Sequence, residues 1–233
     1  MAGTLLDRAE VDQIHDHGYT VLDPFLASRN CDELCRQLEG VSPSESRRRG
    51  GVRDLFARAP AIRTFVRSAP IRKVVERVLS PGAFAVRAIL FDKTPRSNWS
   101  VTWHQDLSIA VDRRAALSGF GPWSTKGGVI HVRPPANVLE NMLTIRVHLD
   151  RCGPDNGALR VIPGSHRFGI SPHPPAAHAS PALCVASRGG AVLMRPLLWH
   201  SSGKATRPTR RRVVHMEFAN DTLPPPLDWY ERY

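Results

Sequence analysis

Residues 103 to 107 read Trp103-His104-Gln105-Asp106-Leu107, which sets an imidazole and a carboxylate one residue apart. The run Val101 to His104 has the composition of a β-strand, and residues i and i+2 of a strand project from the same face. His104 and Asp106 can therefore reach a single metal ion. Much farther along the chain, Trp199-His200 provides a segment that can supply a third ligand. Two imidazoles and one carboxylate that leave coordination positions open form the facial triad of non-heme Fe(II) oxygenases.

The residues that follow His200 include a hydroxyl, Ser202, and three consecutive cations, Arg210-Arg211-Arg212. A guanidinium group can hold a carboxylate through two parallel hydrogen bonds. This combination suits 2-oxoglutarate, whose keto-acid end chelates iron while its far carboxylate meets Arg and Ser. Strand alternation places Arg210 and Arg212 on the face opposite Arg211. We choose Arg211 as the anchor because it lies 11 residues after His200, and a slip of one residue stays open.

Three stretches of this sequence, taken together and in this order, resemble the phytanoyl-CoA dioxygenase family. The resemblance covers residues 84 to 219, more than half of the chain. It implies a double-stranded β-helix (jelly roll) core and an oxygenase that uses Fe(II), 2-oxoglutarate and O2. By resemblance, His104, Asp106 and His200 are the iron ligands, Arg211 is the 2-oxoglutarate anchor, and Ser202 is the hydroxyl beside it. The three stretches are Trp103 to Leu107, Asp155 to His166 and Pro196 to Gly203.

The resemblance further implies an oxidation that releases succinate and CO2, and we expect hydroxylation of a small-molecule metabolite. Desaturation and ring formation stay open, because the outcome depends on how the substrate is posed. Two other functions also stay open. One is a catalytically inactive, cupin-like module that binds a metal or ligand without turnover. The other is an oxygenase that acts on a nucleic acid or a protein.

Length and composition indicate one packed domain over residues 1 to 233. The hydrophobic fraction is 42%, enough for a core. The sequence has no apolar run long enough for a membrane span and no pattern typical of a signal peptide. Its four cysteines contain no C-x-x-C pair, which is typical of reduced thiols. These features predict a cytoplasmic protein that has no membrane partner, while the oligomeric state cannot be read.

The formal charge of +11 is the most unusual feature of the composition. Nucleic acid and acidic small molecules are the two partners that such a surface suits. The arginines are spread along the chain, no basic stripe is interleaved with aromatic residues, and no nucleic-acid motif appears. The sequence therefore favours an acidic small molecule over nucleic acid.

The order of predicted elements indicates a mainly β (α+β) protein, with helices first and strands afterwards. Residues 1 to 82 are expected to be mostly helical support, and residues 83 to 220 the jelly-roll core. Capping residues and prolines mark the predicted helices at 7–17, 30–40, 60–68 and 70–79. Pro, Gly and Asn turns separate the predicted strands at 20–26, 85–91, 101–104, 143–150, 159–162, 191–195 and 212–219.

Residues 112 to 142 are predicted to form a long loop, and such loops are often lids over a binding site. The segment follows two of the metal ligands, so we expect it to cover the substrate, with Trp123, Lys126 and His131 as candidate contacts. On the strand at 143–150, Thr144 and Arg146 alternate on one face. Both are candidate auxiliary contacts to cosubstrate or substrate.

Overall fold

Helices form the N-terminal part of the chain and antiparallel sheets the rest, in a computed structural model that describes residues 6–41, 51–175 and 180–233. This confirms the mainly β, α+β class. The predicted order of helices first and strands afterwards is also confirmed. Across the described ranges, no helix has the length and apolar character needed to cross a membrane.

The four predicted helices are present as α1, α2, α4 and α5, with bounds that differ from the prediction by up to three residues, whereas the short helices α3 and α6 were not predicted. Asp7 caps the first helix through a capping box with Glu10, and Gly18 ends it in the left-handed conformation at φ 80°. The prediction that Asn30 caps the second helix is wrong, because this helix begins at Ser28 and has Ala27 as its N-cap. The helices are α1 (Arg8–His17), α2 (Ser28–Gln37), α3 (Leu55–Arg58), α4 (Pro60–Val66), α5 (Ala69–Val78) and α6 (Ala136–Glu140).

The largest sheet has five antiparallel strands in the order β1-β10-β7-β12-β2. One face of this sheet packs against α1 to α5, because alternate residues such as Ile145, Val147, Val214 and Met216 belong to the main apolar core. The other face is therefore free to carry polar side chains inward. The strands are β1 (Tyr19–Leu22), β2 (Phe84–Lys93), β7 (Met142–His148), β10 (Ala191–Met194) and β12 (Arg211–Ala219).

A second sheet, in the order β3-β11-β8-β9, packs against the first. Leu159 and Val161 of this sheet share an apolar cluster with Val192 and Met194 of β10. The two sheets therefore meet face to face, which leaves room for a cavity between them. The strands are β3 (Val101–His104), β8 (Leu159–Val161), β9 (Ala182–Cys184) and β11 (His200–Ser202).

Residues 112 to 142 are not the irregular loop that was expected. Two strands, β5 (Trp123–Lys126) and β6 (Val129–Val132), pair within the segment and join β4 (Ile109–Val111) in a third sheet of order β4-β6-β5. Helix α6 completes the segment. The pattern was missed because these strands are short and their partner β4 lies outside the segment. Buried Val132 packs with Ile109 in a separate apolar cluster.

Candidate metal centre and adjoining cavity

His104, Asp106 and His200 converge at one point of the second sheet. One ligand atom from each of the three lies within 4.8 Å of the others. His104 at the end of β3 and His200 at the start of β11 are direct Cα partners. Oxygens of Asp106, just after β3, lie 3.8 Å from His104 Nε2 and 3.6 Å from His200 Nε2. Pairing of β3 with β11 therefore brings the distant third residue to the first two.

Both imidazole rings are oriented by the backbone of their own strand. His104 Nδ1 lies 2.8 Å from the carbonyl oxygen of Thr102, and His200 Nδ1 lies 2.8 Å from that of Leu198. A carbonyl accepts, so each Nδ1 carries the hydrogen and each Nε2 keeps its lone pair. The two Nε2 atoms are the ones that face Asp106.

The protonation states of the three residues also fit a divalent metal. Burial lowers the pKa of His200 to about 4, so this imidazole is neutral near pH 7. Burial alone would raise the pKa of Asp106, but the facing His200, His215 and His104 outweigh it and lower the pKa. Within the described residues, Asp106 Oδ2 is buried and has no hydrogen-bond partner. An ionised carboxylate with a spare oxygen beside two free imidazole nitrogens is a donor set for iron.

A cavity of about 480 Å³ opens next to the three residues. The second sheet supplies one wall, and the inner face of the five-stranded sheet supplies the other. Every second residue of β2 from Arg87 to Lys93 lines the cavity, and the lining residues of β12 also share one face, as strand geometry requires. These are Arg87, Ile89, Phe91 and Lys93 on β2, and Arg211, His215 and Glu217 on β12.

One end of the cavity is built from Lys93, Ser202 and Arg211. Lys93 and Arg211 are buried, with 3% and 4% of their surface exposed. Lys93 Nζ donates to Ser202 Oγ at 3.1 Å, and Arg211 donates to the carbonyl oxygen of Gly157. Gly157 has φ +77°, and a Cβ there would lie 2.5 Å from the carbonyl oxygen of Gly203, so the close approach of the two loops requires glycine.

The neighbours of Arg211 point away from this end. Arg210 donates two hydrogen bonds to Asp92, and Arg212 donates two to Asp150 through its side chain. Of the three consecutive arginines, Arg211 alone lines the cavity. The alternation expected from the sequence is therefore present.

A chain of hydrogen bonds runs along the cavity wall formed by β7, β12 and β2. Arg146 has only donors, so His215 Nδ1 accepts from Arg146 Nη1 at 2.9 Å, and His215 Nε2 then donates to Glu217 at 3.0 Å. Glu217 also accepts from Arg87. The chain joins two guanidinium groups through one carboxylate.

The other residues predicted from the sequence divide into two groups. Arg146 and Lys126 line the cavity. Among the described residues, Thr144, Trp123 and His131 do not belong to its walls. Thr144 is fully buried, Trp123 packs against the apolar cluster of the third sheet, and His131 Nδ1 bonds to the carbonyl oxygen of Val129.

Several cavity residues were missed by sequence reasoning. Lys93 had been placed in a turn, whereas β2 continues to include it. Extending the alternation of β2 by one more pair would have found it. His215 and Glu217 follow Arg211 by four and six residues and so lie on the same face of β12, where the same rule would have found them. Arg53 precedes α3, and no periodicity of the sequence around it predicts that it lines the cavity.

Comparison with known proteins places this geometry in a family. The family model "Phytanoyl-CoA dioxygenase (PhyH)" matches residues 14–213. No curated protein matches the sequence. Many solved structures share the fold. EctD from S. alaskensis, crystallised with 2-oxoglutarate and 5-hydroxyectoine, has a TM-score of 0.71 at 15% identity, covering 94% of this chain and 78% of that one.

Two further structures have similar values. SnoK, a non-heme α-ketoglutarate-dependent carbocyclase from nogalamycin biosynthesis, has a TM-score of 0.68 at 14% identity, covering 92% of this chain and 84% of its own. HygX from Streptomyces hygroscopicus, with iron bound, has a TM-score of 0.67 at 14% identity, covering 98% of this chain and 90% of that one. With the family match over most of its length, the chain belongs to the phytanoyl-CoA dioxygenase family of Fe(II)- and 2-oxoglutarate-dependent oxygenases.

Proposed function

We propose that this protein hydroxylates a small-molecule metabolite and converts 2-oxoglutarate to succinate and CO2 in the process. One observation carries the proposal. The triad of His104, Asp106 and His200 opens onto a cavity whose far end holds two buried cations, Lys93 and Arg211. A metal site and a carboxylate site within one cavity are what a chelating keto acid with a second carboxylate needs.

In this proposal, His104, Asp106 and His200 hold Fe(II) through two Nε2 atoms and a carboxylate oxygen. Bound Fe(II) supplies the O2 activation that couples decarboxylation of 2-oxoglutarate to oxidation of a C–H bond. The chain contributes the ligand geometry, since backbone carbonyls fix both rings before metal binds. It also contributes a cavity between the two sheets that shields the site in part from water.

Lys93, Arg211 and Ser202 hold the far carboxylate of 2-oxoglutarate. Both cations are buried, so their attraction for an anion is screened less than at the surface. Ser202 Oγ already accepts from Lys93 and donates to the carbonyl oxygen of Gly157, which fixes its position beside the anchor. Arg146, held by His215, is an auxiliary contact on the same wall. Thr144 remains a candidate support from the buried strand β7.

The scaffold supports a double-stranded β-helix (jelly roll) as the finer description of the fold. Two antiparallel sheets face each other with the metal residues between them. We assign residues 1–233 to one oxygenase domain, with 1–82 as helical support, 83–220 as the core and 112–142 as a structured cover over the cavity. Lys126 of this cover lines the cavity. Four free buried cysteines agree with a cytoplasmic location.

Succinate formation by the purified protein with Fe(II), 2-oxoglutarate, ascorbate and air tests the proposal. Slow turnover without a substrate is expected, and both His104→Ala and Arg211→Ala should abolish it. Binding of iron and 2-oxoglutarate without turnover in any metabolite screen would indicate the inactive, cupin-like module. Absence of both binding events would refute the assignment. Product analysis then separates hydroxylation from desaturation or ring closure.

A further inference from the structure

A second group of cations, Arg53, Arg87 and Lys126, lies at the end of the cavity opposite Lys93 and Arg211. The register of β2 with β12 separates Arg87 from Lys93, since Lys93 pairs with Arg211 and Arg87 pairs with Glu217. Arg53 and Lys126 both lie within range of the positive charge of Arg87. Arg87 and Lys93 are six residues apart on one strand, which corresponds to about 20 Å at ~3.3 Å per residue. All three cations line the cavity, and the proposed 2-oxoglutarate anchor uses none of them.

Arg87 has a carboxylate partner, but Arg53 and Lys126 do not. Arg87 donates to Glu217, which His215 also engages. In the part of the chain that the structure describes, no carboxylate lies within ion-pair distance of Arg53 or Lys126. Lys126 Nζ donates only to a hydroxyl, Ser108 Oγ, at 3.0 Å. Among the described residues, two cations thus line a shared cavity with no carboxylate in ion-pair contact with either of them.

The electrostatic cost of this arrangement is visible in the pKa values of Arg53 and Lys126. Arg53 is exposed, but its partial desolvation and the positive charge of Arg87 lower its pKa. Burial and the charges of Arg87 and Arg53 lower the pKa of Lys126, although Asp106 and Glu217 oppose the shift. Like charges in a partly desolvated cavity repel each other more strongly than in water. A bound anion would relieve that repulsion.

The charges of the cavity wall can be assigned one by one. Its two carboxylates are engaged, since Asp106 belongs to the metal triad and Glu217 to Arg87 and His215. Lys93 and Arg211 are committed to 2-oxoglutarate in the proposed function. Arg146 is held by His215 and serves as the auxiliary contact named above. Among the described residues of the wall, Arg53 and Lys126 are the cations left over, and they stand on separate elements, the segment before α3 and the end of β5.

We propose that Arg53 and Lys126 bind an anionic group, a carboxylate or a phosphate, of the small-molecule substrate. This inference rests on the proposed function and names the substrate class for the same cavity. Arg87, held in place by Glu217, adds positive charge behind the two binding groups. Ser108 supplies a hydroxyl beside Lys126 as a further donor to the anion.

The position of this anion site also limits the size of the substrate. Ser108 follows Asp106 by two residues, and two residues of extended chain span at most about 7 Å. The hydroxyl that contacts Lys126 is therefore close to a metal ligand. When the anionic group of a substrate occupies this site, carbon atoms a few bonds from that group lie near the metal. This geometry suits a compact metabolite.

Calorimetric titration of inorganic phosphate, and separately of acetate, into the anaerobic Fe(II) protein saturated with 2-oxoglutarate tests the inference. Saturation blocks the Lys93 and Arg211 end, so binding that persists reports a second site. We expect wild-type protein to bind at least one of the two anions. Arg53→Gln and Lys126→Gln should each weaken that binding about tenfold or more, and Arg53→Lys should retain most of it.

Arg114→Gln is the matched control, because Arg114 contacts Thr125 beside Lys126 but does not line the cavity. This variant should bind as wild type does. No anion binding by wild type, or equal binding in all four variants, overturns the inference. Binding of a short oligonucleotide without binding of either small anion overturns it too, in favour of a polymer.

The same titration series separates this inference from the proposed function. Failure of 2-oxoglutarate itself to bind the anaerobic Fe(II) protein refutes the proposed function. Phosphate binding that still depends on Arg53 and Lys126 would then show an anion site in a cavity that serves another reaction. Comparison of unfolding curves shows whether each variant is folded, so a loss of binding can be assigned to the side chain.

Discussion

Lys93 on β2 and Arg211 on β12 are direct Cα partners, and both side chains are buried at the same end of the cavity. Burial, together with the positive charges of Arg211 and Arg146, lowers the pKa of Lys93 to about 7, although Cys152 opposes the shift. Two adjacent buried cations are unfavourable without an anion. The pair is therefore poised to take a carboxylate, and its two members should respond differently to substitution and to pH.

Arg211→Gln should raise the KM for 2-oxoglutarate by about 10- to 100-fold. The reason is the loss of a charge-assisted hydrogen bond to the carboxylate, worth about 1.5–3 kcal/mol. Succinate formation at varied 2-oxoglutarate concentration measures the change. Arg210→Gln is the control, because Arg210 bonds to Asp92 on the outer face, and its KM should stay within about twofold of wild type. Equal effects at the two positions would contradict the anchor.

The KM for 2-oxoglutarate should rise with pH above about 7 in wild type. Lys93 attracts the carboxylate only when it is protonated, and in the free protein it loses its proton near pH 7. A bound carboxylate favours the protonated form, so binding above pH 7 takes up a proton and weakens as pH rises. Below pH 7 Lys93 is already charged and adds no pH dependence.

Lys93→Gln tests this assignment, because glutamine keeps a polar side chain but does not titrate. The variant should have a higher KM than wild type near pH 6 and a flatter profile between about pH 6 and pH 9. Measurement of KM across this range at constant ionic strength is the check. A variant profile as steep as that of wild type would show that another group titrates.

Much of this site follows from local sequence rules, and the remainder depends on pairing between distant segments. The triad could be named because the stretches around His104, Asp106 and His200 resemble one family, and Arg211 because of its offset of 11 residues from His200. Lys93 was missed because Thr94 and Pro95 suggested that the strand ended earlier. Arg53 enters the cavity from a segment before a short helix, which no periodicity indicates.

Removal of the metal should abolish succinate formation, and Fe(II) should restore it. Two Nε2 atoms and a carboxylate that lie within 4.8 Å of one another have no strong alternative partners in the described chain. Treatment with a chelator, followed by metal analysis and addition of Fe(II), measures this. Asp106→Asn should lower the iron content after reconstitution, because an amide oxygen is a weaker ligand than a carboxylate. Full activity in metal-free protein would contradict the assignment.

Gln105 stands between the two ligands and points away from the metal, so its substitution separates support of the site from ligation. Its side-chain nitrogen donates to the carbonyl oxygens of Gly169 and Leu197, and its side-chain oxygen accepts from the backbone N–H of Ser171. Gln105→Ala leaves these buried backbone groups without partners. We expect a loss of about 1–3 kcal/mol in the free energy of unfolding, measured by urea denaturation of the metal-free protein.

The same substitution should also weaken iron binding, because the bonds of Gln105 tie the chain between His104 and Asp106 to the segment before His200. Gln37→Ala is the control, since Gln37 is exposed and donates a hydrogen bond to Glu33 on the surface of α2. Both its unfolding curve and its iron affinity should match wild type. If Gln105→Ala loses stability but keeps wild-type iron affinity, the triad is held by strand pairing of β3 with β11 alone. If both properties fall together, the ligand geometry depends on the buried amide as well.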